Sequence, residues 1–174
     1  MNEWTRDVLH VLWIGVGATA VMDAWLVVLR RLGVPTQPFS LIGRWVGHMP
    51  RGRWFHNGIA KSAPVRGEAA LGWLVHYAVG IGFAVLAVLA NGRGWAAQPT
   101  VLPALAVGIA TVLVPLLVMQ PAMGSGIAAS RTATPWRNRL RSLANHAVFG
   151  LGLYFAAWAW SRGPSPADAA PPTP

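Results

Sequence analysis

Four apolar stretches, each of about 20 residues, constrain this chain more than anything else in it; they run over about 8–29, 71–90, 101–119 and 143–160. A helix needs roughly 20 apolar residues to cross a bilayer core. Lipid offers no partner to an open backbone, so each crossing is expected to be helical. Each run is apolar on nearly all faces, which suits lipid better than the half-buried surface of a globule. Hydrophobic residues make up 54% of the 174 and charged residues 11%, where a soluble domain carries roughly a quarter charged. The expected fold is all-α, a transmembrane four-helix bundle over residues 1–162. A long basic loop fills 30–70, and a Pro-rich tail, 163–174, is expected to be disordered.

The first run contains Ala18-Thr19-Ala20, which resembles a cleavage site. Its leader carries Glu3 and Asp7 beside Arg6, and the apolar run continues to Leu29. An uncleaved anchor is the better reading. Basic residues set the expected topology. Arg30, Arg31, Arg44, Arg51, Arg53, Lys61 and Arg66 lie in the first long loop, and Arg131, Arg137, Arg139 and Arg141 in the second; Arg6, Arg93 and Arg162 are on the other side. Eleven against three places both long loops in the cytoplasm and both termini outside, for a multi-pass membrane protein. The net charge of +9 is then accounted for by anionic headgroups, with no nucleic acid as partner. Tryptophans near the run ends fit an interfacial belt, with only Trp13 deeper. No cysteine is present, which excludes disulfides, thiolate metal sites and Cys nucleophiles.

The loop segment Phe39–Met49 mixes apolar, aromatic and basic residues, as an interfacial helix does. With the basic aromatic turn Pro50–His56 it reads as a headgroup anchor, or as a lid or anion-binding rim over a site in the bundle. Arg44, Arg51, Arg53 and Arg131 are the candidate anion or headgroup ligands. Gly124-Ser125-Gly126-Ile127-Ala128-Ala129 has the outline of a dinucleotide fingerprint without the strand such a motif requires. A remaining reading is a Gly-rich turn whose backbone N–H groups, with Arg131, could hold a phosphate or lipid headgroup.

Several strings carry a family resemblance. They are Gly17–Asp23, Gly43-Arg44-Trp45 with Gly47–Gly52, and Leu71-Gly72-Trp73 with His76-Tyr77. Further on come Met119-Gln120-Pro121-Ala122, Ala128–Thr132, and His146 with Phe149–Tyr154. The chain resembles the domain-of-unknown-function 2938 family of small bacterial membrane proteins. The resemblance implies an integral membrane protein and brings no activity, so no catalytic residue is carried over.

Ionisable side chains inside a span are costly and mark candidate sites. Asp23, His76 and His146 fall at similar depths, roughly 5 to 9 Å from the inner ends of their runs at 1.5 Å per residue. Gln120 and Asn145 adjoin the same layer, while His10 lies near the outer boundary. Steps of four give Gly15–Thr19–Asp23, Gly72–His76–Gly80 and Ser142–His146–Gly150. Each ionisable group therefore shares a face with small residues that let helices approach. The spacing His, then Gly at plus four and plus six, recurs after His76 and His146, which suggests two helix hairpins in parallel repeat.

Three functions suit such a layer. A small carrier would bind a proton, ion or solute at Asp23, His76, His146, Gln120 and Asn145. A cofactor protein would use Asp23, His76 and His146 for a divalent metal, or His76 and His146 as axial ligands of a haem. A structural protein would use the pairing only to fix helices, and a homodimer with a shared cavity would thicken a thin bundle. No nucleophile–base arrangement is visible, so an enzyme is the less favoured reading.

Overall fold

The computed structural model describes residues 2–163 and is all-α, 77% helical, with no strand among the described residues. The tail expected to be disordered lies, from residue 164 on, outside the described residues. Helix α1 spans Glu3–Arg31, α2 Phe39–His48, α3 Glu68–Ala97, α4 Val101–Ala110, α5 Gln120–Ala122 and α6 Pro135–Ser161.

Local chemistry sets these boundaries. Asn2 caps α1 by accepting from the Thr5 N–H at 2.8 Å. The helix ends where Gly33 turns left-handed (φ +74°) and the Val34 N–H reaches back to the Leu29 carbonyl, with Pro35 following. Pro135 opens α6 at a position where its missing N–H costs nothing. After α4 the helix loosens over Thr111 and Val112. Pro115 cannot donate to the ladder, and a π-helical turn, Pro115–Met119, carries the chain into α5.

Three segments are long and apolar enough to cross a membrane: α1, α3, and α4 through α5 (Val101–Ala122). Helix α6 is more polar, with Arg137, Arg139 and Arg141 in its first turns. The helices pack in the order α3, α1, α6, α4, with α2 laid across the start of α3. Their core is built from small residues: Ala18, Ala84, Ala87, Ala104 and Ala157 are fully buried beside Ile14 and Leu153. Large apolar side chains point outward instead; Leu74, Leu89 and Leu102 are 67, 77 and 76% exposed. An apolar exterior around an alanine and glycine interior is the packing expected of helices that meet lipid.

Glycines set the crossings. A Cβ on Gly15 would meet the Ile81 backbone, and one on Gly80 the Thr19 hydroxyl, so α1 and α3 nearly touch. A Cβ on Gly108 would meet the Gly150 backbone where α4 crosses α6. Trp13, the deep tryptophan, donates its Nε1–H to the Ala156 carbonyl at 3.0 Å, joining α1 to α6. His10 stacks on Trp160 at 4.9 Å near the opposite end from the long loops.

Helix α2 is pinned just as closely. A Cβ on Gly43 would run into the Glu68 carbonyl, and one on Gly72 into the Phe39 carbonyl. Arg44 then clamps the loop, donating to Glu68 at 2.7 and 2.9 Å and to the carbonyls of Ala60 and Ser62. Salt-bridge pairing with Glu68 holds the Arg44 guanidinium above its already high proton affinity. The two long loops also dock on each other. The His56 N–H donates to the Ala122 carbonyl at 2.8 Å and the Ile59 N–H to the Met123 carbonyl at 2.9 Å.

Candidate functional site

Asp23 leaves α1 toward α3 one turn after Thr19, and α3 presents His76 and Tyr77 to it. The His76 Nε2–H donates to Asp23 Oδ1 at 2.8 Å, and the Tyr77 hydroxyl donates to Oδ2 at 2.9 Å. Both carboxylate oxygens are thus partnered, and the Asp23 and His76 side chains are only 18 and 9% exposed. Phe39 of α2 stacks on the His76 ring at 4.0 Å, while Trp73 meets it edge-on. Helix α2, held by the Gly43 and Gly72 contacts, thus packs directly against this cluster.

His146 belongs to a separate group. Its Nδ1 lies 2.9 Å from the Thr111 hydroxyl, whose own proton goes to the Gly108 carbonyl at 2.6 Å. A hydroxyl with one proton already donated can only accept, so Nδ1 carries the hydrogen and Nε2 keeps its lone pair. Asp23, His76 and His146 do not gather into one ligand set. Among the described residues no three His, Asp or Glu side chains lie close enough to hold a metal. The haem arrangement also fits poorly, because the His76 Nε2 that would face iron is occupied by Asp23. Matched depth on neighbouring helices placed these side chains in one layer, but each turned toward its nearest hydrogen-bond partner.

A cavity of about 520 Å³ joins the two groups. It opens among α1, α3, the π-helical turn and α6, and α2 forms part of its wall. Of the polar layer, His76, His146, Gln120 and Asn145 line it and Asp23 does not. Trp25 donates to Asn145 Oδ1 at 3.0 Å and Gln120 donates to Ser142 at 3.3 Å, while the Gln120 Oε1 is buried without a partner. Phe83, 5.9 Å from Phe149 and 6.2 Å from His146, forms its deep end. The rim nearest the loops is polar, with Gln37, Asn138, Arg141 and Ser142, and the walls between are mostly apolar.

The four candidate anion or headgroup ligands sit in different settings. Arg44 spends its donors on Glu68, Ala60 and Ser62 and is a strut of the loop. Arg51 donates to the Gly47 carbonyl at the end of α2. Arg53 and Arg131 are exposed, and none of the four lines the cavity, where Arg141 does. The Gly-rich turn is a strained support for the rim: Ala128 and Ala129 both adopt left-handed backbone (φ +50° and +60°), and Arg139 donates to the Ala128 carbonyl at 2.8 Å.

Sequence reasoning missed Tyr77, Thr111 and Arg141 as site residues. A tyrosine beside His76 in an apolar run was a usable signal, since an acid one helix away can sit between adjacent side chains. Thr111, four residues before Pro115, was another, because a loosened helix frees polar groups for new partners.

No curated protein and no solved structure matches this chain. A family described as "Protein of unknown function (DUF2938)" matches residues 12–160. This chain, with its Asp23–His76–Tyr77 cluster and its cavity inside the matched region, belongs to the DUF2938 family.

Proposed function

We propose that this protein is a small carrier of the inner membrane, coupling movement of a singly charged amphipathic anion to a proton at Asp23. In this reading α6 is the fourth crossing, over about 143–160. The basic loops face the cytoplasm and both termini face the periplasm, as the distribution of arginines favours.

The observation that carries the proposal is the 520 Å³ cavity, whose apolar walls lead from a rim bearing Arg141 to His76 and His146. Its volume lies within the roughly 300–1,000 Å³ of small-molecule sites. One guanidinium among amides suits one negative charge, and the walls suit a hydrophobic body. Asp23 accepts from both His76 and Tyr77, so a proton on the carboxyl removes the charge that strengthens both bonds. Protonation is thereby tied to the position of α3 against α1. A second cavity, about 980 Å³, lies at the opposite end beside Asp7, His10, Arg93 and Trp160. Between the two, Gly15 and Ile81 close the bundle. Two cavities separated by a glycine-thin contact suit alternating access.

The test is uptake. Purified protein is reconstituted in liposomes and given naphthalene sulfonate, an amphipathic anion that does not cross a bilayer unaided. Wild-type vesicles take it up with a saturable initial rate. Arg141→Gln raises the half-saturating concentration by at least tenfold while circular dichroism is unchanged. Protein-free vesicles matching the wild-type signal would refute the carrier.

A further inference from the structure

Away from the bundle cavity, two histidines meet in the docked loops. His48 ends α2 and His56 lies beyond the turn at Gly52; they are 5 and 7% exposed, and their ring centroids are 5.2 Å apart. Each ring is fixed through one nitrogen. His48 Nε2 donates to the Ala63 carbonyl at 2.9 Å, and His56 Nδ1 lies 2.9 Å from the Ser62 hydroxyl. The other nitrogens, His48 Nδ1 and His56 Nε2, are buried and have no partner.

Because a carbonyl only accepts, His48 must carry its hydrogen on Nε2, so neutral Nδ1 presents a lone pair. Two buried ring nitrogens without partners incur a desolvation cost that some occupant must offset. Metal-binding histidines are held in this way, with the far nitrogen hydrogen-bonded to a carbonyl or hydroxyl that sets tautomer and orientation. The spacing agrees as well. With metal–nitrogen bonds of about 2.0–2.1 Å and a tetrahedral angle, two ligating imidazoles have centroids roughly 5 Å apart.

We propose that His48 and His56 form a two-imidazole site for a borderline transition-metal cation of the zinc class, its other positions left to water or a small anion. No third His, Asp or Glu among the described residues completes the set, so the ion's remaining positions fall to water or a small anion. A bound ion would tie the end of α2 to the loop that rests on Ala122 and Met123. The site thus lies outside the carrier cavity and does not depend on that proposal.

The experiment uses the full chain, purified without a histidine tag and stripped with chelator, then titrated with Zn(II) against a competing dye and with Co(II) in the visible range. The expected result is one equivalent bound, with Co(II) bands of tetrahedral intensity. Binding should weaken at least tenfold in His48→Gln and in His56→Gln, and about tenfold in Ser62→Ala, which leaves both ligands in place. Size-exclusion profiles of the variants establish that they remain folded. Absence of stoichiometric binding to folded wild type, or equal binding by wild type and His48→Gln, overturns the proposal and leaves a bridging water as the occupant.

Discussion

Asp23 holds two donors because His76 and Tyr77, adjacent in sequence, diverge around the α3 surface and close on it from two sides. Thr111 plays the matching part for His146, passing its proton to Gly108 and accepting one from Nδ1. Thr111→Val keeps the shape and removes the acceptor, leaving a buried N–H unpaired. It should destabilise the protein by about 1–3 kcal/mol, read as a lower unfolding midpoint in detergent, with circular dichroism of the folded state unchanged. At this scale the sequence was partly legible. Asp23 and His76 shared faces with glycines, and a face is what spacing encodes. The partner a side chain selects depends on the height at which two helices cross, which spacing along one helix does not contain. His146 therefore ended on Thr111, and the expected three-residue cluster became two pairs.

The decisive contacts at the scale of elements are glycine crossings. Gly80 and Gly150, each four residues after its histidine, seat α3 on α1 and α6 on α4. The hairpins resemble each other in this respect, yet one histidine meets a carboxylate and the other a hydroxyl. Helix α2 is attached through Gly43 and Gly72. Gly72→Ala drives a methyl into the Phe39 carbonyl, with the Phe39 carbonyl carbon at 2.6 Å, and overpacking of this kind costs about 1–3 kcal/mol. Since α2 walls the cavity, a cysteine placed at Ile42 should react several-fold faster with maleimide in the Gly72→Ala background. Native labelling is silent, because the chain has no cysteine. Equal rates would mean that α2 is not held by this crossing.

The docked loops carry their own pH dependence. His56 faces His48, Arg53 and Ser62, and its proton affinity is lowered by burial first and by His48 next. A folded value below the unfolded one means that the stabilisation from the neutral ring is fully present above about pH 6.5 and is lost as the pH falls below it. Hydrogen exchange at the His56 and Ile59 amides, which bond to Ala122 and Met123, should therefore quicken more between pH 7 and 5 than that of α1 core amides, after correction for intrinsic rates. This docking was illegible in the sequence. It depends on Arg44 being consumed by Glu68, and a basic residue in a basic loop reads as a headgroup ligand until its acid is seen in place.

On the scale of the whole molecule, charge and hydropathy spoke plainly. An all-α chain with outward leucines and an alanine interior follows from a 54% hydrophobic composition arranged in long runs. The cavities did not follow, because they arise where helices fail to touch: the π-helical turn after Pro115 opens the space between α3 and α6. The whole account hangs on Asp23 acting as a proton-linked gate beside that space, through His76, which lines it. The measurement that reaches it most directly is accumulation of naphthalene sulfonate inside proteoliposomes under an imposed pH gradient, comparing wild type with Asp23→Asn. Wild type should concentrate the anion above its external level, and Asp23→Asn should still exchange it across the membrane yet accumulate none. Undiminished gradient-driven accumulation by Asp23→Asn would contradict the account.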